Sequence, residues 1–317
     1  MWTYVLRRIL YNIPVYLGIL FVLMWALRVN DPVWGYLGKN ATQEAYDLKE
    51  EALGLDQPFL SQYVTFVGQI ATFDFSEESW RQPGYTVGEL IGDSIVPSLS
   101  LTVPALLLTS FLSICIAIIS AYYRGRLVDK SLMTFAVLGM SVSYLVYIIL
   151  GQYFGAYLLN QSIEGEIFAV QGYEPGLGSW AHYCLLPVLI STLVAMGYDT
   201  RFYRAVMVEE SARDYIVTAM AKGAPKRKVM FVHMLKNAMI PIVTRIMITL
   251  PFLVMGSLLV EVYFNIPGIG RALLSAIVEN DFPVTQGLVA IFAGIFILSI
   301  ILNDVLYAIV DPRVRLS

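Results

Sequence analysis

The chain has 317 residues, of which 57% are hydrophobic and only 14% charged. Soluble domains carry closer to a quarter charged residues, so this composition excludes an ordinary water-soluble domain and points to an integral membrane protein. The net charge of −3 says little, because the two signs are segregated along the chain, and two cysteines, Cys115 and Cys184, both in apolar runs, build no disulfide framework or zinc site.

Arg7 and Arg8 precede an apolar run at Ile9–Val29, which is too long for the 7–15-residue core of a secretory signal and reads as a retained first span. Crossing about 30 Å of hydrocarbon takes roughly 20 apolar residues. Five further stretches qualify: Leu99–Tyr122, Leu132–Leu158, Tyr183–Tyr203, Ile240–Phe264 and Gly287–Val310. The expected fold is an all-α integral membrane protein of six helices. With the N-terminus inside, 16 of the 21 Lys and Arg residues fall on the inner side, which places both termini in the cytoplasm.

In chain order, residues 1–29 form the cytoplasmic N-terminus and first span, and 30–98 an extracytoplasmic insert. The spacing of Leu53, Leu55, Phe59, Leu60, Tyr63, Val64 and Val67 predicts helical pieces, broken at Gly54 and Pro58, that form a cap on the membrane face. Residues 99–310 form the transmembrane domain and 311–317 a cytoplasmic tail. Gly151 and Gly155 have the spacing that permits close helix approach. "IPGIG" at Ile266–Gly270 predicts a turn followed by a short helix. Asp199 and Arg201 form a pair or reach water, and Arg245 extends its head to the inner face. Asp304, an acid inside the last span, is either a structural anchor or part of a pathway.

Between the fourth and fifth spans lies a coupling loop, 205–239. Within it, "DYIVTAMAKGAPKRKVMFVHMLKNAMIP" runs from Asp214 to Pro241. Asp214 is suited to N-cap a short helix, with Ser211 as the alternative start. That helix puts Tyr215, Ile216, Ala219 and Met220 on one side and Val217, Thr218, Ala221 and Lys222 on the other. Gly223 suits the left-handed position that ends a helix, and Pro225 the first turn of the next. Lys226, Arg227 and Lys228 conflict with the helix dipole, which prefers anions there. They serve topology and anionic headgroups, or they meet an acidic or polar partner. The small side chains on the second face favour a closely approaching partner.

This stretch resembles the cytoplasmic loop of permease subunits in ABC importers for peptides and nickel. Val217, Thr218 and Ala219 occupy the Glu-Ala-Ala places of the general signature, Gly223 and Leu235 fit it, and Lys236 stands where it has Pro. Thr218, Ala219, Ala221, Lys222, Gly223 and Pro241 match the peptide subfamily's version. "LGLDQPFLSQY", "TVGELIGDSIVPSLSLTV", "VYFNIPGIGRALLSAIVENDFPVTQG" and "DVLYAIVDPRVR" are similar to the same family, in its first-subunit branch. The resemblance implies a pore-forming subunit in the inner membrane, with a second permease subunit, two ATPase subunits and an extracytoplasmic binding protein. It implies ATP and Mg on the ATPases and no cofactor on this chain. It makes Thr218 to Ala224 the coupling helix, with Asp214 at its start. Peptides, nickel complexes and glutathione are all substrates within the family.

Two rival classes find less support. An ion-driven secondary transporter calls for internal repeats and more midplane charge. A membrane-embedded enzyme calls for a Ser/His pair or metal ligands within the spans, and a phosphate loop is absent from the sequence. The basic residues are accounted for by topology, which leaves nothing for nucleic acid.

Overall fold

The computed structural model describes residues 2–29, 31–37, 41–254 and 258–310; the side chains of 2–5, 250–254, 303, 304 and 306–310 lie outside that description. The described residues are helical throughout, apart from turns and one isolated bridge between Glu78 and Thr86.

Helix α1 (Trp2–Leu27) presents apolar side chains such as Leu10, Val22 and Trp25 outward, as a lipid-facing helix does. The insert then folds as three helices, α2 (Pro32–Leu37), α3 (Gln43–Ala52) and α4 (Phe59–Thr72). The expected breaks are where the sequence put them: Gly54 takes φ +64° and Pro58 precedes the first turn of α4. The apolar face differs from expectation. Leu60 and Val64 are exposed, whereas Phe66 is buried, with Phe59, Tyr63, Val67 and Ile70 beside it. These side chains meet Leu20 and Met24 of α1 and Ala290 further along the chain. The Tyr63 hydroxyl donates to the Leu17 carbonyl at 2.9 Å. Leu17 lies ten residues before the end of α1, about 15 Å along the axis at 1.5 Å per residue. The insert therefore packs along the side of α1, reaching back to Leu17.

Helix α5 (Val87–Tyr122) starts twelve residues before the apolar run that predicted it. Its start is fixed by a capping box: the Thr86 hydroxyl accepts from Glu89 N, and the Glu89 carboxylate accepts from Thr86 N. Such reciprocal satisfaction of free donors ends the chain's ambiguity about where a helix begins.

The expected third span, Leu132–Leu158, is not one straight helix. α6 (Leu127–Ser141) meets the helical stretch Tyr144–Ile163, which begins with α7 (Tyr144–Leu150), at 92°. Val142 is extended, φ −88° and ψ 137°, and no Gly or Pro marks the corner. Tertiary bonds hold it instead: Tyr147 Oη donates to Gly139 O at 2.9 Å, and Tyr144 Oη and Ser191 Oγ lie 2.8 Å apart. Beyond α7 the chain winds through a π-helical stretch, Gly151–Leu158, into α8 (Leu159–Ile163). Gly151 and Gly155 lie here against the side-chain ends of Ile190 and Leu186, which would have to move aside for a Cβ at either position.

Those partners sit on α9 (Leu177–Glu210), which packs along α5 through most of its length. At Gly197 an added Cβ would sit 2.7 Å from the Ala136 carbonyl oxygen of α6, so the two backbones are in contact there. Next come α10 (Asp214–Ala221), α11 (Lys226–Lys228), a π-helical stretch Val229–Met234, and α12 (Leu235–Val254). α13 (Leu258–Tyr263), α14 (Ile269–Val278) and α15 (Phe282–Val310) complete the described chain. Among the described residues five helices are long and apolar enough to cross a membrane, and the bent α6–α8 pair makes six.

The turn and short helix expected at "IPGIG" are present, and a residue the sequence reading passed over organises them. Glu261 is fully buried. Its carboxylate accepts from Ser98 Oγ at 2.7 Å and from Arg271 N at 3.0 Å, while Ser98 Oγ accepts from Ile269 N at 2.8 Å. Two free N–H groups at the start of α14 are thus satisfied by a carboxylate–hydroxyl relay, and the helix dipole favours the charge. Glu261→Gln is expected to destabilise the purified protein by about 1–3 kcal/mol through the mismatched donor facing Arg271 N, and Glu261→Ala by more. Apparent melting temperatures of the three proteins check this ranking.

A second latch closes the insert onto the transmembrane domain. Asp281 accepts from Ser79 Oγ and from Trp80 N (3.2 Å), and the Trp80 ring stacks on Phe282 at 5.5 Å.

Candidate functional site

The elbow between α9 and α12 contains the site that the sequence singled out. α10 is bound to the bundle through one face only. Ile216 is buried in a cluster with Ala117 and Ile118 of α5, Tyr203 and Met207 of α9, and Val229, Met230 and Met234; Tyr215, Ala219 and Ala224 pack against it. The Tyr215 hydroxyl donates to Glu210 at 2.6 Å. Burial raises the Tyr215 phenol above its usual range, and donation to Glu210 adds to the rise.

The opposite face is open. Asp214, Val217, Thr218, Ala221, Lys222 and Gly223 are exposed. Met220, expected on the packed side, is 50% exposed and joins them. Ala219, expected on the Tyr215 side, packs against the cluster as expected, and Ala224 is half-buried beside it. At 100° per residue Ala219 lies between Tyr215 and Ile216, while Met220 sits at the edge of the packed face, about 40° from Ile216 and 60° from the exposed Val217. The capping also shifts by one. Arg213 occupies the N-cap position without a side-chain cap, and Asp214 is the first helical residue, where its charge complements the dipole. The Thr218 hydroxyl is occupied within the helix, donating to Asp214 O at 2.9 Å. Gly223 takes φ +82°, the left-handed conformation that lets the chain reverse into Ala224 and Pro225.

The basic triplet divides into two parts. Lys226 Nζ donates to Tyr122 O at 2.8 Å and lies 4.4 Å from the centre of the Tyr122 ring. Its charge is unfavourable at the start of its own helix and favourable at the C-terminus of α5, where a free carbonyl and the negative dipole end await a cation. Arg227 and Lys228 remain exposed. Lys226→Met is expected to lower stability by about 0.3–1 kcal/mol and to increase hydrogen exchange in the last turn of α5, while Lys228→Met leaves that turn unchanged.

Two ion pairs brace the half of the bundle next to the elbow. Asp129, buried at the start of α6, receives a bidentate fork from Arg204 of α9: Nε to Oδ1 at 2.6 Å and Nη2 to Oδ2 at 2.7 Å. Ser120 Oγ and Gly125 N donate to the same carboxylate. Three helices therefore share one charged knot. The sequence reading had placed Arg204 among the topology-setting cations and had not singled out Asp129. The signal available was an acid among inner-side cations, without a way to choose its partner.

The second pair corrects an expectation. Asp199 faces Arg245 of α12 at 3.4 Å, not Arg201, whose Nη1 lies 3.2 Å from Met140 Sδ. Arg245 is thus held by Asp199 and by the Phe202 ring, 5.8 Å away, not extended alone toward water. Asp304 lies in α15, and its side chain is outside the described residues. No group of three His, Cys, Asp or Glu side chains converges as a metal site among the described residues.

Comparison with known proteins follows the same elements. Residues 113–316 match the family described as the binding-protein-dependent transport system inner membrane component. Over 99% of its length the chain is 32% identical to the probable peptide ABC transporter permease protein y4tP of Sinorhizobium fredii, covering 100% of that protein. It is 35% identical to the glutathione transport system permease protein GsiC of Salmonella paratyphi A and 34% identical to that of Escherichia coli K12, in each case over 99% of both chains.

Proposed function

The chain belongs to the family of inner membrane components of binding-protein-dependent transport systems, and from that premise we propose that it is the pore-forming permease subunit of an ABC importer. It moves a small peptide across the cytoplasmic membrane. The peptide assignment rests on relatives named for peptide and for glutathione transport, which share an amide-rich cargo. An extracytoplasmic binding protein delivers the solute, and separate ATPase subunits hydrolyse ATP. The chain performs no chemistry itself. A second, related permease completes the pore, and two ATPases sit beneath the pair, each holding ATP and Mg.

The observation that carries this reading is the one-sided anchoring of α10. Its packed face, Tyr215, Ile216 and Ala219, ties it to α5, α9 and the start of α12, so a push on α10 reaches three long helices. Its open face, Asp214, Val217, Thr218, Met220, Ala221, Lys222 and Gly223, is the part offered to an ATPase cleft, and small side chains there permit close approach. A cysteine at Thr218 should cross-link to the copurified ATPase, and one at Ala219 should not. Binding-protein-stimulated ATP hydrolysis by the reconstituted complex should drive peptide uptake. An isolated chain that exchanges solute on a proton or sodium gradient would sink the assignment.

A further inference from the structure

A cavity of about 240 Å³ lies where the outer end of α1, the insert and α15 meet. It is lined by Arg28, Gln286, Glu77 and Gln62, among others. Arg28 Nε and Nη2 are buried there without a hydrogen-bond partner among the described residues, and so is Gln286 Nε2. Gln286 is 6% exposed. Donors buried in this way normally find acceptors, and a guanidinium without a counter-charge costs more still.

The simpler explanations fall short. Arg28 follows the C-terminus of α1, where a cation suits the dipole, yet its two buried nitrogens reach no carbonyl of that helix. The Arg28 guanidinium lies 5.1 Å from the centre of the Phe59 ring. That contact occupies one face of the plane and leaves the in-plane N–H groups unanswered. Glu77 shares the lining, but no ion pair joins it to Arg28 among the described residues. Gln62 spends its amide donors on Leu55 O and Gln57 O. Burial, with Asp281 and Asp74 nearby, raises the Glu77 carboxyl above its usual range, toward its neutral form. The unanswered donors on the lining are then a guanidinium edge and an amide N–H₂, a set suited to a planar or tetrahedral oxyanion.

The geometry points to a phosphate-binding site in this cavity, with Arg28 and Gln286 as its donors. Two sources offer that chemistry. Trp25, one turn before Arg28, is 61% exposed and Val29 is 69% exposed, so the site opens beside a lipid-facing surface with an aromatic residue of the kind that marks the membrane–water boundary. A phospholipid headgroup in the outer leaflet is one source, and dissolved inorganic phosphate is the other.

The test uses the complete permease complex, purified and depleted of lipid. Dioleoyl phosphatidylglycerol and, separately, inorganic phosphate are titrated, with bound lipid counted by native mass spectrometry and phosphate binding read by thermal shift. Saturable binding of the lipid alone assigns the headgroup, and saturable binding of inorganic phosphate assigns the free anion. In either case Arg28→Gln should weaken binding at least tenfold. Gln286→Glu should do the same, because it replaces the amide donor with a carboxylate that repels the anion. If Arg28→Gln fails to assemble, Gln286→Glu decides alone. Wild-type affinity in Gln286→Glu, or no saturable binding of either probe to the wild type, overturns the site.

Discussion

Gly223→Val is expected to abolish ATP-driven uptake while the chain still inserts and assembles. No atom of the protein lies within 4 Å of a Cβ added at Gly223, so a side chain meets no clash there. The penalty is conformational: φ is +82°, a region a β-branched residue avoids at a cost of about 1–2 kcal/mol. The turn relaxes by rotating Lys222 and Ala224, and the open face of α10 moves relative to its packed face. A graded series separates this cause from simple bulk. Asn, which tolerates the left-handed region, should retain most uptake, Ala should lose part, and Val nearly all. Uptake and ATP hydrolysis are measured on the same preparation, with the mutant complex showing hydrolysis no longer stimulated by the binding protein. Equal transport by the Val and Asn variants would remove the coupling role from this turn.

Asp129→Ala should be the most destabilising substitution on the inner side, by about 3–5 kcal/mol, because it leaves the Arg204 guanidinium and the Ser120 hydroxyl facing a void without their acceptor. Asp129→Asn should lie between it and wild type. A paired replacement, Asp129→Leu with Arg204→Met, should recover much of the loss, since an apolar pair of similar volume avoids stranding a charge. Melting temperature and yield of the solubilised complex report all three. If the paired replacement proves worse than Asp129→Ala, the knot holds the helices by something other than charge compensation.

These residues also indicate how far the sequence could be read. The spans were legible because lipid demands long apolar helices, and the turn at Gly223 because only glycine takes that conformation freely. The start of α5 at Val87 was hidden: its first turns carry Glu89 and Asp93, so hydropathy discounts them, although "TVGE" is itself a capping signal. The corner at Val142 had no local sign at all, since it is set by Tyr144 and Tyr147 reaching residues 47 and 8 positions away. Pair partners were equally illegible. Asp199 has Arg201 two residues along, but i and i+2 do not face each other on a helix, and the partner that does, Arg245, is 46 residues distant. In α10 the faces were right apart from Met220, and Ala219 and Ala224 of the family motif are half-buried beside the Ile216 cluster.

Helix α5 carries a consequence of its own. Its 36 residues extend about 54 Å at 1.5 Å per residue, well beyond the hydrocarbon thickness. Ser98, twelve residues into the helix, is engaged by Glu261 and the start of α14. At the C-terminal end Lys226 grips the final carbonyl, and Ser120 enters the Asp129 knot. One rod therefore ties the turn before α14 to the elbow. Pro97 and Pro104 each delete one ladder bond from it, and both lie in its N-terminal half. The uninterrupted stretch from Ala105 to Tyr122 is the stiffer part, and the compliance lies at the prolines, beside the Glu261 relay. A tug on the elbow is expected to emerge as tilt of the N-terminal half, with the prolines as the fulcrum.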